Sequence, residues 1–84
     1  MTYELIFADS AFRQLKKLEK KVQERIIAVL ERIRIRPEAY VTKLVGDPGY
    51  RLRVGDYRII MDIDNKKLQI LVLKVCHRKN IYDR

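Results

Sequence analysis

The chain has 84 residues, of which 48% are hydrophobic and 36% charged; Lys and Arg outnumber Asp and Glu by 19 to 11, giving a formal net charge of +8. That length suits a single domain over residues 1–84 and excludes two, and the apolar content excludes a disordered tail. The charge predicts a polyanionic partner, whether nucleic acid, an acidic protein or an anionic surface, while no apolar run approaches the ~20 residues of a membrane span.

In chain order, residues 2–7 contain Tyr3, Leu5, Ile6 and Phe7 in weak alternation and read as a strand. The same segment carries Glu4 and no basic start, so it does not read as a signal peptide. Cys76 is the single cysteine, which rules out an internal disulfide framework. Both features lead to the expectation of a cytoplasmic protein.

Asp9 or Ser10 offers an N-cap for a helix. Apolar residues follow at Ala11, Phe12, Leu15, Leu18, Val22, Ile26, Val29, Leu30 and Ile33, in helical steps of three and four, up to Pro37. One straight helix over 10–36 would be roughly 40 Å long at ~1.5 Å per residue. A domain of this size is only about 30 Å across, so a helical hairpin bending near Glu19-Lys20-Lys21 is expected.

The second half reads as strands. Thr42 to Val45 offers a short one before Gly46-Asp47-Pro48-Gly49. Tyr50 to Val54 and Tyr57 to Ile63 flank Gly55-Asp56, a two-residue turn signal. Asp64-Asn65-Lys66-Lys67 is a polar turn. Leu68 to Val75 is nearly continuous apolar, the pattern of a strand covered on both faces.

With a two-residue turn, Val54 lies opposite Tyr57, Arg53 opposite Arg58 and Arg51 opposite Ile60. Alternation then puts Tyr50, Leu52, Val54, Tyr57, Ile59, Met61 and Ile63 on one face and Arg51, Arg53 and Arg58 on the other. Like charges directly opposed destabilise a sheet, yet a guanidinium fork matches phosphate oxygens in two-point contacts. The three arginines therefore point to anion binding, against the plainer reading of a solvated face neutralised by Asp56 and Asp62.

His77-Arg78-Lys79-Asn80-Ile81-Tyr82 follows the apolar strand. If that strand pairs beside 57–63, this tail begins at a sheet end near the arginine face. Attack by a ribose 2′-OH on the adjacent phosphate needs a proton acceptor, stabilisation of an anionic phosphate and a proton for the leaving oxygen. His77 suits acid or base work near neutral pH, arginines suit the phosphate, and Tyr82 becomes a base only where cations lower its pKa. Singly, His77 reads more readily as a hydrogen-bonding residue and Tyr82 as an anchor. Cys76 reads as a small buried hydrophobe. No His, Cys, Asp or Glu cluster has metal-ligand spacing, and no P-loop, dinucleotide fingerprint or triad is present.

Over nearly its whole length the sequence resembles the RelE/ParE toxin superfamily. The resemblance runs through Phe12-Arg13-Gln14-Leu15-Lys16-Lys17-Leu18, Pro37 and Leu44-Val45-Gly46. It is most specific in Tyr50-Arg51-Leu52-Arg53-Val54-Gly55-Asp56-Tyr57-Arg58-Ile59-Ile60 and in the 77–82 segment. It implies an α+β fold: an N-terminal strand and helical hairpin packed on a small, mostly antiparallel sheet. It implies the toxin of a type II toxin–antitoxin pair, a ribosome-dependent, metal-independent endoribonuclease cleaving mRNA in the A site without a cofactor. The implied partners are the ribosome, mRNA and an acidic RelB-like antitoxin that wraps the basic surface, with no membrane partner.

By position, Arg51 and Arg53 match RNA-binding basic residues, and Lys79 joins them. Arg58 matches the arginine that stabilises the reacting phosphate. Arg78 is similar to one that assists the leaving group, and Tyr82 matches a tyrosine that stacks on the base and helps activate the 2′-OH. Relatives often carry Lys where this chain has Arg51 and Arg53. Arg does not share its proton, which moves base duty towards Tyr82 or His77. Glu19 stands where many relatives have a helix-breaking proline.

Two other functions remain open: a ParE-like DNA gyrase inhibitor, which binds without hydrolysis, and a non-catalytic RNA- or ribosome-binding protein. His77, Arg78 and Tyr82 beside three hairpin arginines favour cleavage, because a pure binder has no need of that set.

Overall fold

The computed structural model describes residues 2–46 and 49–77. Strand β1 (Glu4–Phe7) leads into helices α1 (Asp9–Lys16) and α2 (Lys20–Ile33), then a single 3₁₀ turn (Pro37–Ala39). Strands β2 (Thr42–Lys43), β3 (Tyr50–Val54), β4 (Tyr57–Asp64) and β5 (Gln69–His77) follow. The five strands form one sheet in the order β1-β5-β4-β3-β2. Only β1 and β5 run parallel; the other pairs are antiparallel. This is the α+β arrangement the resemblance implies.

The helical spacing does what it predicts. Ala11 and Leu15 of α1 and Ile26, Leu30 and Ile33 of α2 are buried against Leu52, Ile59, Met61, Ile70 and Val72 of the sheet. The domain measures 32 × 30 × 22 Å, too short for one continuous helix. The break falls at 17–19, slightly before the Glu19-Lys20-Lys21 segment expected to bend. No proline or glycine makes it. The Lys17 and Leu18 amides turn back onto the Gln14 and Leu15 carbonyls at 3.3 and 3.1 Å. The Gln23 side chain donates from Nε2 to the carbonyls of Leu18 (2.7 Å) and Lys16 (3.3 Å), satisfying acceptors that a helix end leaves open. The N-terminus of α1 also differs from expectation. Ala8 is the capping residue, without a side-chain hydrogen bond, and Asp9 sits inside the first turn. There its carboxylate favours the positive end of the helix dipole instead of capping it.

The reading of β5 as covered on both faces needs correction. Ile70, Val72 and Val75 are buried under the helices, but Leu73 is 38% exposed on the open face. The strand looks continuously apolar because its alternation is interrupted. Met61 pairs with Val72, yet Ile60 pairs with Lys74, leaving Leu73 as an extra residue in a bulge. Gln14 of α1 closes this region, its Oε1 accepting the Val75 amide at 2.7 Å.

At the other end of β4, the Asp64 carboxylate accepts the amides of Lys67 and Lys66, both at 3.0 Å. Those donors, Lys67 foremost, hold its carboxyl below the ordinary range. The turn closes with Leu68 at φ +54°, a left-handed conformation that a side chain rarely adopts.

Candidate nucleic-acid interface

The hairpin of β3 and β4 is held by a turn in which Gly55 has φ +59°. A positive φ at the first central position suits the type II′ turns that match strand twist. A side chain there would also meet the Arg25 guanidinium at 3.3 Å. The register is the one the turn predicts: Val54 opposite Tyr57, Arg53 opposite Arg58, Leu52 opposite Ile59 and Arg51 opposite Ile60. Leu52, Val54, Ile59, Met61 and Ile63 are buried on the helix side, with Tyr50 and Tyr57 packed at their margin.

The opposite face carries Arg51, Arg53 and Arg58, which line one open cleft of about 220 Å³. Tyr40 and Thr42 form the rest of its wall. These two were not singled out in the sequence. Thr42 is brought there by β2, which pairs it with Arg51. The available signal was alternation: Val41 packs on the core, so its neighbours Tyr40 and Thr42 face outward.

Arg51 and Arg58 are half-buried and Arg53 is exposed. No ion pair joins Arg51 or Arg53 to a carboxylate among the described residues; the Arg53 Nε donates a long hydrogen bond to the Gly55 carbonyl at 3.5 Å. Asp56 and Asp62 thus do not neutralise those two side chains. Opposed guanidinium groups in a shared concavity raise the local potential for an anion.

Beside Arg58 in the next strand stands Cys76, whose thiol lies 3.8 Å from the Arg58 carbonyl. Burial pushes that thiol up from its ordinary value, against the pull of Lys74 and Arg58, so it stays protonated near neutral pH and is a poor nucleophile. His77 pairs with Tyr57, and their rings meet edge to face at 5.1 Å. That places the imidazole with Tyr57 on the helix side of the sheet, away from the arginine row. Arg78, Lys79 and Tyr82 lie outside the described residues. Among the described residues no group of three or more His, Cys, Asp or Glu is disposed to hold a metal ion, and no helix is long and apolar enough to cross a membrane.

A two-helix layer on a mixed sheet, with a cationic hairpin exposed on the far side, defines a compact α+β domain. Residues 5–82 match the family model described as the ParE toxin of type II toxin–antitoxin system, parDE, and the chain belongs to that family, within the RelE/ParE superfamily of toxins. Among solved structures, it superposes with a TM-score of 0.86 on the toxin–antitoxin complex RelBE2 from Mycobacterium tuberculosis, at 23% identity over 93% of this chain and 100% of that one. The archaeal RelE–RelB complex from Pyrococcus horikoshii OT3 gives 0.79 at 30% identity over 93% and 97%. The intact E. coli RelBE complex gives 0.78 at 28% identity over 89% and 95%. No curated protein matches the chain.

Proposed function

We propose that this toxin is a ribosome-dependent endoribonuclease that cleaves mRNA in the A site. The observation that carries the reading is the convergence of Arg51, Arg53 and Arg58 in one open cleft. In this mechanism Arg51 and Arg53 hold the RNA backbone. Arg58, fixed near the turn of a rigid hairpin, holds the reacting phosphate. The ribose 2′-OH loses its proton and attacks the adjacent phosphorus. The P–O5′ bond breaks, and the leaving 5′ oxygen takes a proton from water. The products are a 2′,3′-cyclic phosphate and a 5′-hydroxyl. Arg78 assists the leaving group by its charge, Lys79 adds a phosphate contact, and Tyr82 stacks on the base and, as the phenolate that cations favour, accepts the 2′ proton. His77, facing the helices beside Tyr57, supports the sheet end in this scheme, and base duty rests with Tyr82.

Arginines without a strong base make a slow site on free RNA, and substrate positioning by the ribosome contributes several kcal/mol to lowering the barrier. The test is primer extension on translated mRNA combined with analysis of the product ends. Cleavage at codon-phased positions leaving cyclic phosphate is expected, and rapid metal-dependent cutting of naked RNA would refute the scheme. Gyrase inhibition is the second reading, favoured by the family model's ParE description. A loss of DNA supercoiling by purified gyrase in the presence of the toxin, with mRNA left intact, would establish it instead.

We further propose a cytoplasmic location and an acidic RelB-like antitoxin that covers the Arg51, Arg53 and Arg58 face. Its support is the +8 net charge and the antitoxin-bound state of two solved RelE relatives. Complex formation is expected to weaken and to slow as salt rises. A tight complex leaving all three arginines exposed to solvent would move the interface elsewhere.

A further inference from the structure

The cleft contains one aromatic side chain that charge does not explain. Tyr40 is 53% exposed. A lone exposed aromatic needs no special account, but this one shares a concavity with three guanidinium groups. Its backbone is unusually well held for a surface position. The Tyr40 amide donates to the Pro37 carbonyl at 3.0 Å, and the Ala39 amide to that of Arg36 at 3.1 Å. Pro37 is itself fully buried. On the other side Val41 packs on the core and Thr42 is paired to Arg51. The ring therefore rises from a fixed base at the rim of the cationic cleft, with only two side-chain torsions left to order.

A flat ring on a fixed base beside phosphate-binding cations is how proteins hold single-stranded nucleic acid: the cations track the backbone and the ring stacks on a base. We infer that Tyr40 is a base-stacking residue, which positions the nucleotide next to the phosphate held by Arg51, Arg53 and Arg58. This inference rests on the ribonuclease reading, and it assigns to the described part of the domain a base contact separate from that of Tyr82. The cleft, at about 220 Å³, is below the roughly 300–1,000 Å³ that encloses a whole small molecule. It suits one phosphate with an adjoining base that lies open to solvent on its other side. Stacking reads any base, so Tyr40 supplies position and not sequence choice.

The test uses the whole toxin and a short 2′-O-methyl RNA, which has no free 2′-OH to react, carrying 2-aminopurine at one position. The wild type is expected to bind it and quench the fluorescence of the stacked base. Tyr40→Ala is expected to weaken binding by about 5- to 150-fold and to abolish the quenching, while Tyr40→Phe, which keeps the ring, retains both. The salt dependence separates this from a charge effect. Arg53→Ala is expected to flatten the slope of binding against salt, because it removes a phosphate contact, whereas Tyr40→Ala leaves the slope unchanged. Wild-type binding and quenching in Tyr40→Ala, with the melting temperature unaltered, would overturn the assignment while leaving the ribonuclease reading intact. Failure of the wild type to bind the oligonucleotide at all would overturn the stacking assignment, while the ribonuclease reading, whose substrate sits on the ribosome, is decided by primer extension.

Discussion

Replacing Arg58 by alanine is expected to lower single-turnover cleavage of mRNA on programmed ribosomes by about 10²- to 10³-fold, the usual effect of losing a preorganised donor to a transition state. The expectation follows from where the residue stands. Arg58 lies in the second position of β4, directly opposite Arg53 and beside Cys76, with hydrogen-bonded strands on both sides. A guanidinium at that place needs little rearrangement to meet charge as it develops on phosphorus. Its side chain faces the open cleft and not the core, so the fold should survive the change. Ribosome binding should remain largely intact, because it is spread over the rest of the basic surface. A wild-type cleavage rate for Arg58→Ala, with folding confirmed, would place the phosphate clamp on another residue.

The largest expected effect on stability comes from the next residue along. Ile59 is fully buried and points to the opposite side of the same strand. Ile59→Ala removes that packing and leaves a cavity, which typically costs about 2–5 kcal/mol. A small domain has only about 5–15 kcal/mol of net stability. The melting temperature is therefore expected to fall by on the order of 10 °C or more, measured by thermal denaturation of the purified protein. Toxicity in the cell should drop with the folded fraction even though no cleft residue has changed. A loss below about 1 kcal/mol would mean that α2 and the sheet close over the vacated space. The two substitutions stand one position apart and separate the two duties of β4, one chemical and one mechanical.

The hairpin was the most legible part of the sequence. Gly55-Asp56 admits only a short turn, a short turn fixes the pairing, and strict alternation then sorts arginines from apolar residues without reference to the rest of the chain. The helical faces were legible for the same reason: burial repeats at the period of the element. The break between the helices was placed only approximately, because it depends on Gln23 reaching back to the Lys16 and Leu18 carbonyls, a contact with no composition signal. Alternation around Val41 turns Tyr40 outward, but its place beside the arginines depends on a long-range pairing, Thr42 against Arg51, that the sequence does not display. The position of His77 was also hidden, since counting from the apolar run gives no sign of where alternation slips.

That slip at Leu73 works as a parity switch for the end of β5. Were the strand regular from Ile70 onward, even-numbered residues would all face the helices: Lys74 would carry an ammonium into the core, Cys76 would follow it, and His77 would stand among the arginines. One additional residue reverses the assignment for everything downstream. Lys74 is returned to water, Val75 takes the core position, and the imidazole is exchanged for a protonated thiol beside Arg58. Which side chain stands beside Arg58 is thus decided by an odd or even count on a neighbouring strand. Deleting Leu73 would therefore remove the bulge and keep Lys74, Val75, Cys76 and His77 on their present faces, whereas a deletion on either side of it that left the bulge in place would exchange them.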